Sequence, residues 1–540
     1  MDKAKQVKAI NCNSCLERGK ELFQKGNYLS AIEQYRKILD IHSEDKQALF
    51  EMGKAYYVLE KYLLAIKLLN KATILQPDNI DAHLLLAKAY KSVGRYDDSI
   101  VELTKLKESG CDNLDVDREL TSVYRERYSG LMDISKFNGK YDLAIKEYEE
   151  RLKTNPKDEK SISHLVQLYN FEGKYELTRE KIPPTLRFIP KENTFFKNKL
   201  LNELEIAQGE TVLSSKVRSL VITLSNKCNL SCIMCLTRNV PWELPEKIIK
   251  EIFALFPYLE KIMWQGGEVF VLDYFEEILS AASQYPNLRQ SIVTNGLLIT
   301  EKMAEKLVKN NVELTFSIDG VTKETYEYIR RGANFETLIR NLNLILELRK
   351  RHNSNMILNL NVAIMKSNYR QLENFIDFAQ EYGFGFVCLM PIHIHLKTPE
   401  DIFTNQDIEA LSFITEVSPK IEEKAQEYGI RLENRLPTLN SKNDNSSFEN
   451  DIEINPQKKF LCHIPWQQLY IDYDGSVRPD CLCKIQKSAG SLLKNLSLEE
   501  IWNNQVMQEY RRKIVNHDYL DLCNPACISG KIFETHLKFP

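Results

Sequence analysis

Tyrosines at positions 28, 62 and 96 recur at a spacing of 34 residues, and after a gap of 45 the spacing resumes with Tyr141 and Tyr175. The segments GNYLSAI, EKYLLAI, GRYDDSI, GKYDLAI and GKYELTR align around them. A unit this short cannot enclose its own core, so each must bury its apolar side against the next. Gly19, Gly53 and Ala87 stand where the two helices of a hairpin press closest, and Ala31, Ala65, Ser99 and Ala144 hold the second small position. Pro77 and Pro156 interrupt the chain between units, as a residue without an N–H does to a helix. The period predicts about five helix hairpins across residues 14–182, stacked into a superhelix with a concave face.

This combination of small residue, aromatic, later alanine and closing proline resembles the tetratricopeptide repeat (TPR), although the Trp usual at its first position is absent. The resemblance implies an α-solenoid whose concave face binds peptide segments or protein partners. A bracing role alone is the plainer alternative.

After Pro183-Pro184, taken as a break, the pattern changes to strands alternating with helices, the sign of a parallel sheet. Strands are predicted at 219–225, 261–265, 290–294, 312–318, 357–365 and 384–390, with amphipathic stretches such as EKIIKEIFALF between them. Six such units make a partial barrel, with chemistry at the C-terminal strand ends.

Twelve cysteines in a chain of net charge -3 need an explanation. With no apolar leader and no apolar run long enough to span a bilayer, the chain reads as cytoplasmic, where disulfides are rare. Nothing in the charge balance favours nucleic acid or a membrane surface. Eight cysteines fall into two groups: Cys228, Cys232 and Cys235, then Cys462, Cys481, Cys483, Cys523 and Cys527. Clustered thiolates in a reducing compartment point to metal. The first group lies in CNLSCIMC, directly after the first predicted strand. Three thiolates on one loop hold three irons of a cubane and leave the fourth open to a small ligand. Zinc, the alternative, wants a fourth ligand that the loop does not offer.

This loop after a first strand, with GGE after the second, resembles the radical S-adenosylmethionine (SAM) superfamily. The resemblance implies a 4Fe-4S cluster on Cys228, Cys232 and Cys235, with SAM on the open iron split reductively into a 5'-deoxyadenosyl radical, and an electron donor such as flavodoxin or ferredoxin. It assigns Gly266, Gly267 and Glu268 to the amino group of SAM and Ser317, in SIDG, to the ribose. Arg330 falls to the carboxylate, with Arg331 as a competitor, and Met234 and Met390 to the adenine. Asn295 and Gly296 are family-like without an assigned role. The C-terminal text CHIPWQQLYIDYDGSVRPDCLC, with CNPAC, resembles the SPASM extension and implies one auxiliary 4Fe-4S cluster. Its ligands would be Cys462, Cys523, Cys527 and either Cys481 or Cys483. Zinc is the alternative there too. Asp480, beside Cys481, is a candidate catalytic base by analogy with sulfatase-maturating relatives.

The architecture expected is multidomain, α plus α/β: a TPR solenoid (14–182), a partial (β/α)6 TIM barrel (215–400), a helical segment and linker (401–457) and the SPASM domain (458–540). The expected function is radical modification of a peptide or protein recruited by the repeats. Alternatives are a small-molecule oxidase or epimerase acting on a sugar or amino-sugar, and a TPR scaffold with structural clusters. His393 and His395, alternating at the mouth of the barrel, and Cys388, within the sixth strand, are further candidates for proton or hydrogen transfer. Each has a structural reading as well. Cys12 and Cys15 read as inert.

Overall fold

In the computed structural model the described residues are 12–93, 95–108, 116, 119, 123, 141–235, 242–392, 398–437, 462–472, 474–480, 483, 488–494, 496–516, 518 and 522. The chain divides into two compact units, residues 1–136 with 426–429, and residues 137–425 with 430–539.

Among the described residues the first unit shows three helix pairs: α1 (Cys12–Gln24), α2 (Tyr28–Leu39), α3 (Lys46–Val58), α4 (Tyr62–Leu75), α5 (Ile80–Ser92) and α6 (Tyr96–Glu108). The period appears here as packing. A methyl added at Gly19 would lie 2.4 Å from the Tyr35 ring, and one at Gly53 would lie 2.8 Å from Leu69. Ala31, Ala65, Ala87 and Ser99 are fully buried. Asp45 and Asn79, also 34 apart, cap α3 and α5 by accepting hydrogen bonds from the backbone N–H of Ala48 (2.8 Å) and Ala82 (3.0 Å), which satisfies donors the helix leaves open. The hairpin turns need a left-handed residue, supplied by Gly26 (φ 78°) and by Glu60 (φ 58°). Glu60 holds that conformation against the clash of its own Cβ.

The second unit begins with α7 (Tyr141–Thr154), α8 (Glu159–Phe171), α9 (Tyr175–Phe188) and α10 (Thr194–Gln208). The repeat signal is therefore shared between the two units, with its last tyrosines opening α7 and α9 in the second. The break expected at Pro183-Pro184 is absent, because α9 runs through both prolines to Phe188. Neither proline donates a backbone hydrogen bond. The helix continues because Thr178, Ile182 and Thr185 bury one face, and the Thr185 hydroxyl donates to the Lys181 carbonyl at 2.7 Å.

Ten strands form one sheet in the order β10-β9-β8-β1-β2-β3-β4-β5-β6-β7. The six expected strands are β1 (Ser219–Thr223), β2 (Lys261–Gln265), β3 (Arg289–Thr294), β4 (Glu313–Ser317), β5 (Leu358–Ile364) and β6 (Phe386–Pro391), all parallel. Four more extend it. In the stretch expected to be helix and linker, the helix Ile408–Tyr428 is followed by β7 (Arg431–Asn434), parallel to β6. On the other side β8 (Gln468–Ile471) pairs in parallel with β1, and β9 (Ser476–Arg478) and β10 (Gly490–Ser491) follow antiparallel. A first strand left at an edge would expose unpaired backbone groups, and the C-terminal segment covers that edge.

Register separates the two faces. Leu220, Ile222, Ile262, Trp264, Ile292, Leu314, Phe316 and Leu360 are fully buried on one of them. The other carries Thr223, Gln265, Val293, Thr315, Asn361 and Cys388. Apolar alternation with polar positions marks this second face as the concave interior.

One buried charge network fastens the base of the sheet. Arg218, just before β1 and 2% exposed, donates to Glu203 (2.5 Å), Asn202 (3.0 Å) and Glu260. Lys199 reaches Glu260 at 3.1 Å, Asn170 of α8 donates to Glu203 at 2.8 Å, and Asn202 donates to the Trp466 carbonyl at 2.7 Å. Two cations face two carboxylates, so removing one leaves a buried charge uncompensated. Arg218→Met is expected to cost about 3–5 kcal/mol, read from urea unfolding. A loss under about 1 kcal/mol, no more than an exposed pair contributes, would show that the network does not clamp the sheet.

Candidate active site

The loop after β1 carries Cys228, Cys232 and Cys235, exposed, buried and half-buried in turn. It is stitched on both sides. The backbone N–H of Gly267 donates to the Ser225 carbonyl (2.7 Å) and that of Glu268 to the Lys227 carbonyl (2.8 Å), while Ser231 and Ile233 donate to the carbonyls of Arg331 (2.8 Å) and Ile329 (2.9 Å). Asn295, after β3, donates through its side chain to Asn229 Oδ1 at 2.9 Å.

Gly266 and Gly267 serve this stitching. A Cβ on Gly266, whose φ is 155°, would lie 2.3 Å from the Ser225 carbonyl oxygen, and one on Gly267 2.1 Å from that of Lys227. The close approach is thus to the cysteine loop's own backbone, with any ligand beyond it. Glu268 is 2% exposed. Its carboxylate accepts from the Asn295 N–H (2.7 Å), the Thr294 hydroxyl (2.9 Å) and the Phe270 N–H (3.3 Å). Burial raises its pKa, with those donors and Arg330 opposing.

Arg330 is buried and Arg331 exposed. The Arg330 guanidinium lies 3.9 Å from Cys232 Sγ and 2.6 Å from Asp319. Burial pushes the Cys232 thiol up to about 11, Arg330 pulls it down, and Asp319, Cys228 and Cys235 add to the rise. Burial also raises Cys228, opposed by the Leu230 N–H and reinforced by Glu268 and Cys235. The three thiols therefore share one electrostatic neighbourhood. Ser317 closes β4 and Met390 lies near the end of β6, half-buried on the concave face with Cys388. Met234 packs on Ile329, Met365 and Ile392. Burial pushes the Cys388 thiol up to about 12, so it stays protonated. His393 and His395 lie outside the described residues, and Cys12 and Cys15 lie on α1.

Among the described residues no three His, Cys, Asp or Glu side chains converge on one metal ion. Tetrahedral zinc would need its sulfurs about 3.8 Å apart. Three thiolates on one loop, without a fourth side-chain donor on it, are the donor set that a cubane with one open iron takes. Of the second cysteine group, Cys462 and Cys483 are described and half-buried, while Cys481, Cys523 and Cys527 lie outside the described residues. Asp480 is buried, its carboxylate accepting from Gln468 at 2.8 Å. Gln468 pairs with Ser219 at the start of β1, so Asp480 stands about 13 Å down the strands from Thr223.

Sequence reasoning missed Asp319, Thr294 and Asn229. Asp319 was in view, two residues after Ser317 in SIDG.

Residues 222–379 match the family model of the Radical SAM superfamily, residues 462–528 that of an iron-sulfur cluster-binding domain (SPASM), and residues 22–106 that of anaphase-promoting complex, cyclosome, subunit 3. Among curated proteins, a GTP 3',8-cyclase of Synechocystis sp. is 28% identical over 218 residues, covering 38% of this chain and 64% of the relative. One from Clostridium botulinum is 23% identical over 211 residues, 36% of this chain and 62% of the relative. The matched stretch thus spans just under two thirds of these relatives. Among solved structures, Streptococcus suis SuiB bound to S-adenosylmethionine aligns with a TM-score of 0.43 at 17% identity, over 64% of this chain and 80% of that one. Over its central region the chain is thus similar to the radical SAM superfamily. It joins a repeat region of TPR type to a radical SAM barrel and a SPASM domain, and its cofactors are 4Fe-4S clusters and SAM.

A methyl at position 267 would displace the Lys227 carbonyl and with it Cys228. Gly267→Ala is expected to lower reconstituted iron from about eight to about four atoms per chain, as Cys228, Cys232 and Cys235 replaced together by Ala should, with circular dichroism unchanged. Full iron in Gly267→Ala would show that the close approach is not what holds the loop.

Proposed function

We propose that the protein cleaves SAM reductively at a cluster held by Cys228, Cys232 and Cys235 and modifies a peptide or protein, as maturases of ribosomally made peptides do. When bound, the cluster and SAM supply a carbon radical that abstracts a hydrogen atom. The chain's own groups do the holding. Glu268 and Ser317 bind SAM through polar atoms, Arg330 offers N–H donors to its carboxylate, and Met234 and Met390 pack on the adenine. The electron comes from a small donor such as flavodoxin or ferredoxin.

The observation that carries the peptide reading is the junction of β8 with β1. Tyr470 on β8 lies 3.2 Å from the Gln265 amide, which also reaches the Thr223 hydroxyl at 3.3 Å. The concave face is therefore lined by the barrel and the cluster-binding segment together, and Gln265 directly precedes Gly266. Hydroxyl and amide side chains in such a row suit the alternating donors and acceptors of an extended peptide. The repeats supply a second contact for a leader segment, raising the local concentration of the reactive part. Among the described residues no helix is long and apolar enough to cross a membrane. A second reading, an oxidase or epimerase of a small molecule such as a sugar or amino-sugar, draws on the curated relatives, whose name states a small-molecule substrate.

Deletion of residues 1–136 tests the choice, since it leaves α8 and α10, with Asn170 and Glu203, in place. SAM cleavage is expected to persist within about twofold while turnover of a long peptide falls by more than about tenfold at low concentration. A short core fragment supplied in excess should be spared. Equal turnover of the long peptide by both proteins would assign the repeats another role and favour the small-molecule reading.

A further inference from the structure

Arg330 and Asp319 form a charge pair sealed against one of the three thiols. The Arg330 Nη1 is 3.9 Å from Cys232 Sγ, its Nη2 is 2.6 Å from Asp319 Oδ2, and its Nε has no hydrogen-bond partner. Asp319 is fixed from the other side: Oδ1 accepts from the Ala363 N–H at 2.8 Å, and Asn368 donates to the Asp319 carbonyl at 2.9 Å. Asp319 is 1% exposed, and the hydroxyl of the fully buried Tyr326 is also without a hydrogen-bond partner. Screening by water is therefore weaker than at the surface, and each charge acts more strongly on its neighbours than an exposed one would.

We propose that Asp319 is a positioning residue that holds Arg330 on Cys232, and that the two charges, balanced against each other, set the reduction potential of the cluster. The proposal rests on Cys232 being a cluster ligand. Hydrogen bonds to cluster sulfur and the net charge nearby are the means by which a protein sets such a potential. A guanidinium alone beside Cys232 would favour the reduced cluster, which carries one more negative charge. A carboxylate alone would oppose it. Held 2.6 Å apart, the two largely cancel while the N–H donor stays aimed at the sulfur. An Arg330 so neutralised offers SAM hydrogen bonds with little net attraction, which keeps the affinity for its carboxylate from depending on bare charge.

The two members of the pair should then move the potential in opposite directions. The measurement is a redox titration of the reconstituted full chain, followed by the electron paramagnetic resonance signal that SAM perturbs. Asp319→Asn keeps the shape and the acceptor for Ala363, and should raise the potential. Arg330→Gln should lower it. Each should change the ratio of reduced to oxidised cluster at fixed poise by about tenfold, which is 59 mV for one electron, and the double variant should return to within about twofold of wild type. Singles that move together, singles that do not move, or a double variant worse than either would overturn the proposal. Should Asp319→Asn fail to take up iron, Arg330→Lys decides: it keeps the charge and gives up the forked donor, so it should lower the potential by clearly less than Arg330→Gln does, and a shift equal to that of Arg330→Gln overturns the pair. Cys232→Ala with full iron would instead remove the ligand reading beneath the proposal, while unmoved potentials at full iron count against the pair alone.

Discussion

The cysteine loop can keep its three cysteines together on one short segment only because its backbone is tied down on both sides. Gly266 and Gly267 let β2 run so close beneath it that no side chain fits between, and the segment 329–331 ties it from the far side. Loops carry their backbone groups to the surface unless these are paired. Here four backbone hydrogen bonds and the Asn295–Asn229 contact pair them within the protein. The strand ends β2, β3 and β4 acquire their motifs from this demand as much as from any ligand. GGE supplies the close backbone and a carboxylate, TNG receives that carboxylate and returns an amide to the loop, and SIDG supplies Asp319 for the arginine behind Cys232.

Much of this was legible in the chain. The six central strands lie within one or two residues of their expected bounds at most ends, because each is a short apolar run between turn residues, and the 34-residue period reappears as the contacts of Gly19 with Tyr35 and Gly53 with Leu69. What escaped were pairings between distant segments. Gln468 and Ser219 are 249 residues apart, and nothing local in QLYI says that it will lie beside SLVIT. Pro183 and Pro184 misled for the opposite reason: a strong local rule gave way to the burial of Ile182 and Thr185. At the site, the cysteines and GGE announce themselves by spacing, whereas Asp319 matters through a contact with Arg330, which spacing cannot reveal.

The buried network around Arg218 gives the second unit its internal coherence. It draws on α8, α10, the starts of β1 and β2, and the backbone beside Trp466. Those elements come from the repeat-like, barrel and cluster-binding parts of the sequence. Boundaries drawn by motif therefore cut through one packed body, with Asn170 and Asn202 serving as hydrogen-bonding joints.

The parallel pairing of β8 with β1 also bears on how the chain comes to be folded. As the polypeptide leaves the ribosome, β1 precedes its outer neighbour by roughly 250 residues, an interval of about 12–50 s at ordinary rates of synthesis. Throughout that interval β2 can cover one side of β1 while the other side presents bare N–H and carbonyl groups, the kind of edge that recruits foreign strands. The cysteine loop hangs from this same strand, so the thiols emerge on an element whose sheet is still open on one side. The nascent barrel thus has a vulnerable period that ends only when about the last seventh of the chain arrives.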